Sequence, residues 1–391
     1  MHEEHEQNLR FREGISTIAD RIRRRDYAML DSAQMPVTWE HTKAWIGRTV
    51  SVSKRGGCDA VEAGTIRPWL EVLEFGCPLH YDEKAAREAG YKGLFAPYTM
   101  LQTYSSPANW QPGQPTLWQS NHPNFTMRAQ VKQDEIPLPG IYSFATDVEI
   151  EYFKPLYLGD RVSVRERRLV NVNPKHTSVG QGAFLTWESR FCNQHGDLVG
   201  VARTSSYVYV PHPRPEGKTV SEQRGARVAS VSGAGTCVTE RGTESRSDWN
   251  SQFFFEDVKE GDDVPQVAFP ITIQRLVMEA GANRDFNGIH HNRETAQSHG
   301  APDMFCNNFF LQGMWERTVR EYIGLRGIIR KIGPFRMKIF NPVGDTVVVK
   351  GNVLRKFQQN GQNLVELKMW SENSRGTSVG PGPVLVTLPS R

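Results

Sequence analysis

The chain has 391 residues, which is enough for two or three domains with sizeable cores. Its 47 Lys and Arg residues nearly balance 43 Asp and Glu residues, so the formal net charge is +4. A nucleic-acid-binding protein would show a concentrated basic face, and a membrane helix would need a longer apolar run than any present. We therefore expect no nucleic-acid partner and no membrane span.

The N-terminal segment and the cysteines indicate a reducing compartment. Residues 1–14 (MHEEHEQNLRFREG) are charged throughout and lack the apolar core of a signal peptide. The 5 cysteines are scattered and contain no C-x-x-C pair, which favours free thiols over disulfides or a zinc site. These features predict a cytoplasmic protein without a metal site.

Two regions with the same order of elements flank a polar stretch. Helical and alternating apolar periodicities predict the following elements: helices over 66–73 and 83–89 in the first region, helices over 273–280, 293–298 and 308–323 in the second, and strands such as 347–349 and 364–369. A helix followed by consecutive antiparallel strands favours an α+β fold in which a sheet wraps round a helix.

The polar stretch itself covers residues 212–248. It is poor in apolar side chains and rich in Arg, Gly, Ser, Thr and Glu, a composition that is typical of linkers. We therefore predict an N-terminal domain over residues 1–211, a linker over residues 212–248 and a C-terminal domain over residues 249–391.

The two predicted domains also share a residue pattern, so the chain contains an internal repeat of domain size. When His80 is aligned with His290, the following residues correspond: Ala86 with Ala296, Gly90 with Gly300, Leu94-Phe95 with Met304-Phe305, and Gly159-Asp160 with Gly344-Asp345. The longer spacing to the Gly-Asp step in the first domain indicates an insertion there, around the Pro- and Trp-rich residues 105–119.

Several short motifs carry a family resemblance. They are Asp285-Phe286-Asn287-Gly288-Ile289-His290, the run from Phe254 to Asp262, the Pro-Val-Gly-Asp run at 342–345, and, in the first domain, CPLHYD at 77–82 and GLFAP at 93–97. Together they resemble the MaoC-like (R)-specific enoyl-CoA hydratase/dehydratase family, in its double hot-dog form with a dehydratase-like N-terminal domain. The resemblance implies two antiparallel sheets, each wrapped around a long central helix. We expect these sheets to join edge to edge, because each then protects the exposed strand of the other.

The resemblance also implies a reaction and its residues. The family adds water to the double bond of an enoyl thioester and reverses this step by dehydrating a 3-hydroxyacyl thioester. Asp285 and His290 take the family's catalytic positions and are expected to activate the water, since histidine titrates near neutrality. Asn287 is expected to order the loop between them. An acyl-CoA enters as the substrate and no cofactor is implied; a homodimer or larger homo-oligomer is expected.

The sequence departs from the family at Gly288, where the family has proline, and at the start of the central helix. The family opens its central helix with a His-Gly step, and a backbone N–H there stabilises the charge that develops on the thioester oxygen. Asn307 and Asn308 occupy this step. The backbone of Asn308 is therefore the predicted donor, and Asn307 is a predicted substrate contact.

The first domain is predicted to have lost catalysis. Phe75 stands five residues before His80, and the interval from Thr65 to His80 is three residues shorter than that from Thr272 to His290. This shortening is interpreted as a deletion in the aspartate loop. The resemblance gives such a domain the role of forming the acyl pocket, and aromatic residues of the first domain are predicted to line it: Tyr98, Tyr104, Trp110 and Trp118.

Two other functions remain open. A hot-dog thioesterase would place a carboxylate on the central helix, where Glu316 and Glu321 are available. A non-catalytic scaffold that binds acyl thioesters would explain the change at Asn307 and Asn308. The sequence does not identify the acyl group, nor decide between CoA and a carrier protein.

Overall fold

The computed structural model describes residues 37–50, 56–122, 125, 136–140, 142–177, 180–211, 249, 251–298 and 300–391. The predicted linker over residues 212–248 lies outside the described residues. We call the part before residue 212 the N-terminal half and the part from residue 249 onward the C-terminal half.

The N-terminal half begins with helices and ends in long strands. Its elements are α1 (Trp39–Lys43), β1 (Thr49–Val50), α2 (Ala63–Leu73), a 3-10 turn (Pro78–His80), α3 (Glu83–Glu88), β2 (Phe95–Ala96), a 3-10 turn (Tyr98–Met100), α4 (Leu101–Ser105), β3 (Tyr142–Tyr152), β4 (Leu156–Tyr157), β5 (Ser163–Thr177), β6 (Gly180–Cys192) and β7 (Leu198–Pro211).

The C-terminal half repeats this order. Its elements are a 3-10 turn (Phe255–Asp257), β8 (Asp263–Pro270), α5 (Ile273–Asn283), α6 (Gly288–His291), α7 (Arg293–Ser298), α8 (Asn308–Ile323), β9 (Ile328–Arg336), β10 (Thr346–Gln359), β11 (Gln362–Asn373) and β12 (Gly376–Thr387). The predicted helices over 293–298 and 308–323 are confirmed with these bounds.

The long strands form one 10-stranded antiparallel sheet in the order β1-β5-β6-β7-β3-β9-β12-β11-β10-β8. Each half contributes five neighbouring strands. Counted outward from the centre of the sheet, the order is β3-β7-β6-β5-β1 in the N-terminal half and β9-β12-β11-β10-β8 in the C-terminal half, so the two halves have the same strand order. The halves join where β3 pairs with β9, with Asp147 opposite Arg336 and Glu151 opposite Lys331. The predicted edge-to-edge joining is thus confirmed, and the arrangement is the double hot-dog fold.

Helix α8 lies in the core of the C-terminal half. Every residue from Phe310 to Ile323 is buried, and the ring of Trp315 packs edge-on against Phe335 at 4.6 Å between centroids. Helix α2 of the N-terminal half also approaches α8 closely, since a Cβ added at Gly313 would come within 2.6 Å of the Trp69 ring. The two halves therefore share one core around α8.

The prediction of a long central helix in each half is wrong for the N-terminal half, within the part of the chain that the structure describes. There, α4 has 5 residues, whereas α8 has 16. Ser106 is extended (φ −73°, ψ 134°) because the next residue, Pro107, disfavours helical geometry in the residue before it. The helix therefore ends at Ser105, and residues 106–122 form neither helix nor strand.

Backbone contacts confirm the internal repeat. Gly159 N–H donates to Val61 O at 2.8 Å, and Gly344 N–H donates to Ile271 O at the same distance. Both glycines adopt left-handed geometry, with φ 90° and 86°. In each half, the glycine of the Gly-Asp step is thus bonded to the residue just before the N-cap of the 11-residue helix, α2 or α5.

Candidate active site

Asp285 and His290 lie close together after helix α5. Arg284 ends this helix in left-handed geometry (φ 64°), which turns the chain toward α6, and Asn287 caps α6 through its side chain. As a result, His290 Nε2 lies 3.7 Å from Asp285 Oδ2. His290 is buried, while the Asp285 side chain is 25% exposed, so solvent reaches the pair from the aspartate side.

The hydrogen bond at Nδ1 sets the tautomer of His290. Its Nδ1 lies 2.9 Å from the carbonyl oxygen of Phe305, which can accept a proton but not donate one. Nδ1 therefore carries the hydrogen, and neutral His290 turns the lone pair of Nε2 toward Asp285. Burial lowers the pKa of His290, although the Asp285 charge acts in the opposite direction. The imidazole is thus held ready to accept a proton.

A chain of buried amides holds Asp285. Asn307 Nδ2 donates to Asp285 Oδ2 at 3.1 Å, and Asn307 Oδ1 accepts from Phe310 N–H at 2.8 Å at the start of α8. Asn283 Nδ2 donates to Asn307 Oδ1 at 3.1 Å, and Asn283 Oδ1 accepts from Asp285 N–H at 2.9 Å. The predicted substrate contact Asn307 therefore positions the carboxylate and caps the central helix.

Glu279 lies behind this chain and was not predicted as part of the site. Its Oε2 accepts from Asn283 Nδ2 at 2.7 Å, and its side chain is fully buried. Burial, reinforced by the nearby Asp285 charge, raises the pKa of Glu279 well above its usual range. The Glu279 carboxyl thus orients the Asn283 amide, which in turn donates to Asn307.

Two further predicted site residues are Asn287, which contacts Asp285, and Asn308, which follows Asn307 in the chain. Asn287 Oδ1 accepts from Ile289 N–H at 3.3 Å, and its own N–H donates to Asp285 Oδ1 at 3.3 Å, which agrees with a loop-ordering role. Asn308 is the first residue of α8. Helix geometry leaves its N–H without an intrahelical acceptor, and the helix dipole makes this end favourable for negative charge.

The N-terminal half presents the same framework without the aspartate. His80 Nδ1 lies 2.8 Å from Phe95 O, a contact equivalent to that of His290 Nδ1 with Phe305 O at 2.9 Å. Phe75 packs against the His80 ring at 5.3 Å between centroids. Burial lowers the pKa of His80 to about 3. No polar partner faces His80 Nε2 among the described residues.

The predicted three-residue deletion in this half is wrong. Helices α2 and α5 both have 11 residues and both end in a left-handed residue, Glu74 and Arg284, six positions before the histidine. The residue that begins α2 as its N-cap is Glu62, so Glu62 and not Thr65 corresponds to Thr272. The loops have equal length, and Phe75 simply replaces the aspartate.

The aromatic residues predicted to line an acyl pocket lie in different environments. Tyr98 is buried, with its ring 5.1 Å from that of Tyr152. Trp110 and Trp118 are 45% and 67% exposed, and the indole N–H of Trp110 is bonded within its own loop. The loop that follows Pro107 leaves the core, which explains this exposure. The structure does not gather these three side chains into one wall, and a substrate contact by any of them stays a prediction.

The carboxylates that a thioesterase would need have structural partners. Glu316 accepts hydrogen bonds from the N–H groups of Tyr98 and Thr99 at 2.7 and 2.8 Å. Glu321 pairs with Arg317 at 2.9 Å. Both carboxylates thus lie buried on α8 and are held by partners in the protein itself.

Two further properties of the described residues bear on other functions. No group of three or more His, Cys, Asp or Glu side chains in the described ranges is arranged to hold a metal ion. Among the helices that the structure describes, none is long and apolar enough to cross a membrane.

Comparison with known proteins agrees with the fold and the motifs. The family described as "FAS1-like, dehydratase domain region" matches residues 44–201. The beta subunit of 3-oxo-4,17-pregnadiene-20-carboxyl-CoA hydratase from Mycobacterium tuberculosis is 31% identical over 104 residues, which cover 27% of this chain and 77% of that protein. A probable enoyl-CoA hydratase alpha subunit from Thermomonospora curvata is 30% identical over 169 residues, which cover 41% of this chain and 48% of that protein.

The chain thus spans about half the length of the T. curvata relative. A solved MaoC-like dehydratase superposes with a TM-score of 0.62 at 18% identity, over 89% of this chain and 100% of that chain, and so shares the fold. From these matches, the chain belongs to the MaoC-like hydratase/dehydratase family of hot-dog proteins.

Proposed function

We propose that the protein catalyses the reversible hydration of an enoyl-CoA to a 3-hydroxyacyl-CoA. One observation carries the proposal: His290 Nε2 and Asp285 Oδ2 lie 3.7 Å apart. A water molecule about 2.8 Å from each atom would be hydrogen-bonded to both at once. A base and a carboxylate that share one water form the arrangement that addition of water to a double bond requires.

In the proposed hydration, His290 accepts a proton from this water. The water oxygen forms a bond to the β-carbon of the enoyl group, and the π electrons shift toward the thioester carbonyl. The proton then passes from His290 to the α-carbon, which completes the 3-hydroxyacyl product and restores the neutral imidazole. Asp285 orients the water and stabilises the transient imidazolium ion by its negative charge.

The N-terminus of α8 supports the charge that develops on the thioester oxygen. Asn308 N–H lies at the first position of this helix, beside the residue that holds Asp285. A backbone donor there, together with the helix dipole, would stabilise the enolate-like intermediate. The reaction so proposed consumes water and an acyl-CoA and requires no cofactor. Assembly into a homo-oligomer and a cytoplasmic location stay predictions.

An assay with purified protein tests the proposal. A panel of trans-2-enoyl-CoAs of increasing size is mixed with the protein, while the absorbance of the conjugated double bond and the release of free thiol are followed together. We expect loss of the conjugated absorbance without free thiol. Release of thiol alone would indicate a thioesterase, and binding without turnover across the panel would indicate a non-catalytic scaffold.

A further inference from the structure

The side chains between Glu279 and Asp285 form a chain of hydrogen bonds in which each amide has one fixed orientation. Asn307 Oδ1 accepts from Phe310 N–H, so Asn307 turns its Nδ2 toward Asp285 Oδ2. Asn283 Oδ1 accepts from Asp285 N–H, so Asn283 turns its Nδ2 toward Asn307 Oδ1. The second hydrogen of Asn283 Nδ2 needs its own acceptor, which Glu279 Oε2 supplies at 2.7 Å. Glu279 is therefore the far end of a chain that leads to the proposed catalytic carboxylate.

The burial of Glu279 and its hydrogen bonds are unfavourable for a charged carboxylate. Its side chain is 0% exposed. Its Oε2 accepts from the uncharged Asn283 amide, and its Oε1 has no hydrogen-bond partner among the residues that the structure describes. An ionised carboxylate in such a place is strongly disfavoured, because burial removes its hydration and no cation replaces it.

The ionisable groups on the elements around α5 do not supply a free positive charge to Glu279. Arg275, one turn earlier on α5, pairs with Glu74 of α2 at 2.8 Å. The other groups are Arg317, which pairs with Glu321, and Asp285, His290, His291 and Cys306. Burial lowers the pKa of His290 and raises that of Cys306 well above its usual range, and so favours the uncharged form of each. The charge that acts on Glu279 is that of the aspartate, which is also negative.

On the basis of the proposed function, we propose that Glu279 is a positioning residue of the hydration, which acts in its uncharged form through Asn283 and Asn307 to hold Asp285 beside His290. The uncharged carboxyl keeps an oxygen as acceptor for the Asn283 amide. It adds no second negative charge to the network, so Asp285 alone stabilises the imidazolium ion. Burial and the Asp285 charge raise the pKa of Glu279, which agrees with this role.

Two substitutions separate the acceptor from the charge. Glu279→Met removes the acceptor and fills a similar space, so the Asn283 amide loses one of the three bonds that orient it. We expect kcat on trans-2-butenoyl-CoA to fall about tenfold and KM to change less than about twofold, because Glu279 acts through Asp285 and not on the substrate. Glu279→Gln keeps a carbonyl oxygen and should retain kcat within about threefold.

Nuclear magnetic resonance titration of His290 gives a readout that loss of stability alone would not move. The Asp285 charge raises the pKa of His290, so a displaced Asp285 in Glu279→Met should lower this pKa. In Glu279→Gln the pKa of His290 should stay unchanged. Glu316→Met is the matched control, because Glu316 is also buried but accepts from the N–H groups of Tyr98 and Thr99 in the N-terminal half. It should leave the pKa of His290 unchanged.

The uncharged form of Glu279 is measured directly by infrared spectroscopy. The wild-type protein at neutral pH should show the C=O band of a buried protonated carboxyl, and Glu279→Gln should lack it. In the unfolded chain this group releases its proton near pH 4.3, whereas the folded protein retains it to higher pH. The stability of the wild-type protein relative to Glu279→Gln should therefore fall as the pH rises above about 4.3.

The outcomes distinguish this proposal from the proposed function. A folded Glu279→Met variant with wild-type kcat and an unchanged pKa of His290 overturns the positioning role, as does an equal pKa change in Glu316→Met. A pKa of His290 that falls as far in Glu279→Gln as in Glu279→Met, or an absent infrared band, shows that Glu279 is charged and overturns its uncharged form. If the wild-type protein hydrates no enoyl-CoA, the proposed function is wrong and the role of Glu279 in hydration is overturned with it. The titration needs no turnover and still shows whether Glu279 positions Asp285.

Discussion

His80 in the N-terminal half and His290 in the C-terminal half each direct Nδ1 at a backbone carbonyl, at 2.8 Å from Phe95 O and 2.9 Å from Phe305 O. Each ring also packs edge-on against the phenylalanine that supplies this carbonyl, at 5.1 and 5.0 Å between centroids. The two halves therefore hold a histidine in the same tautomer by the same contacts.

The halves differ in the group that faces Nε2. Asp285 lies 3.7 Å from His290 Nε2, whereas Phe75 packs against His80 at the corresponding position. A phenyl ring cannot hold a water or stabilise an imidazolium ion by charge, so we expect His80 to be catalytically inert. The comparison shows that both halves supply a positioned histidine, and under the proposed function the aspartate decides whether this histidine can do chemistry.

The largest expected effect is that of removing the carboxylate. Asp285→Ala should lower kcat about 10²–10⁴-fold on an enoyl-CoA, because His290 would lose the group that holds the water and stabilises its charged form. Steady-state kinetics on the folded variant measure this. Activity within about threefold of the wild-type level would show that the difference between the halves does not lie in the aspartate.

A smaller effect is expected from the amide that holds Asp285. Asn307→Ala removes the hydrogen bond to Asp285 Oδ2, and hydrogen bonds to charged groups contribute about 1.5–3 kcal/mol, so kcat should fall roughly ten- to a hundredfold. Thr272→Ala is the control, since it also removes a side-chain N-cap, that of α5, but leaves the Asp285 side-chain contact in place. Equal losses in the two variants would mean that Asn307 acts through helix stability alone.

The smallest expected effect is a shift of the pH profile. His290 must be neutral to accept a proton, so activity is lost as the pH falls through its pKa, which burial places below the usual value. Because Asp285 favours the imidazolium ion, Asp285→Asn should lower the pKa of His290 further and move the acid limb of kcat/KM to lower pH. Asp303→Asn, which alters a carboxylate paired with Arg293, should cause no shift.

Nuclear magnetic resonance titration of the His290 imidazole measures the same pKa without turnover. A shift to higher pH in Asp285→Asn would mean that the carboxylate does not stabilise the charged form of His290.

Periodic and local signals predicted much of this fold. Helix α8 begins and ends as predicted because Asn307 is a strong N-cap and Gly324 adopts φ 69° after the last apolar residue. The burial of Arg317 and Arg320 inside this helix has no such local signal. Their guanidinium groups donate to Leu73 O at the end of α2 and to Gly327 O in the loop after α8, at 2.5 and 2.6 Å.

The site was predicted in part. Asp285 and His290 were found from their spacing, but Glu279 and Asn283 were missed although the signal was present. Both lie on the helical face of Leu276 and Ala280, so the periodicity of α5 predicts their burial. The deletion was inferred by matching Thr65 with Thr272, whereas α2 begins after Glu62, which makes no side-chain cap hydrogen bond. Sequence spacing could not show this.

The most direct test of the account compares the two histidines in one assay. His290→Ala and His80→Ala are measured on trans-2-butenoyl-CoA, with thermal unfolding as a check, and His80→Gln is added because a buried alanine leaves a cavity. The account predicts a loss in kcat of about 10²–10⁴-fold for His290→Ala and less than about twofold for a folded His80 variant. Equal losses at the two positions would contradict it, since both halves would then be catalytic.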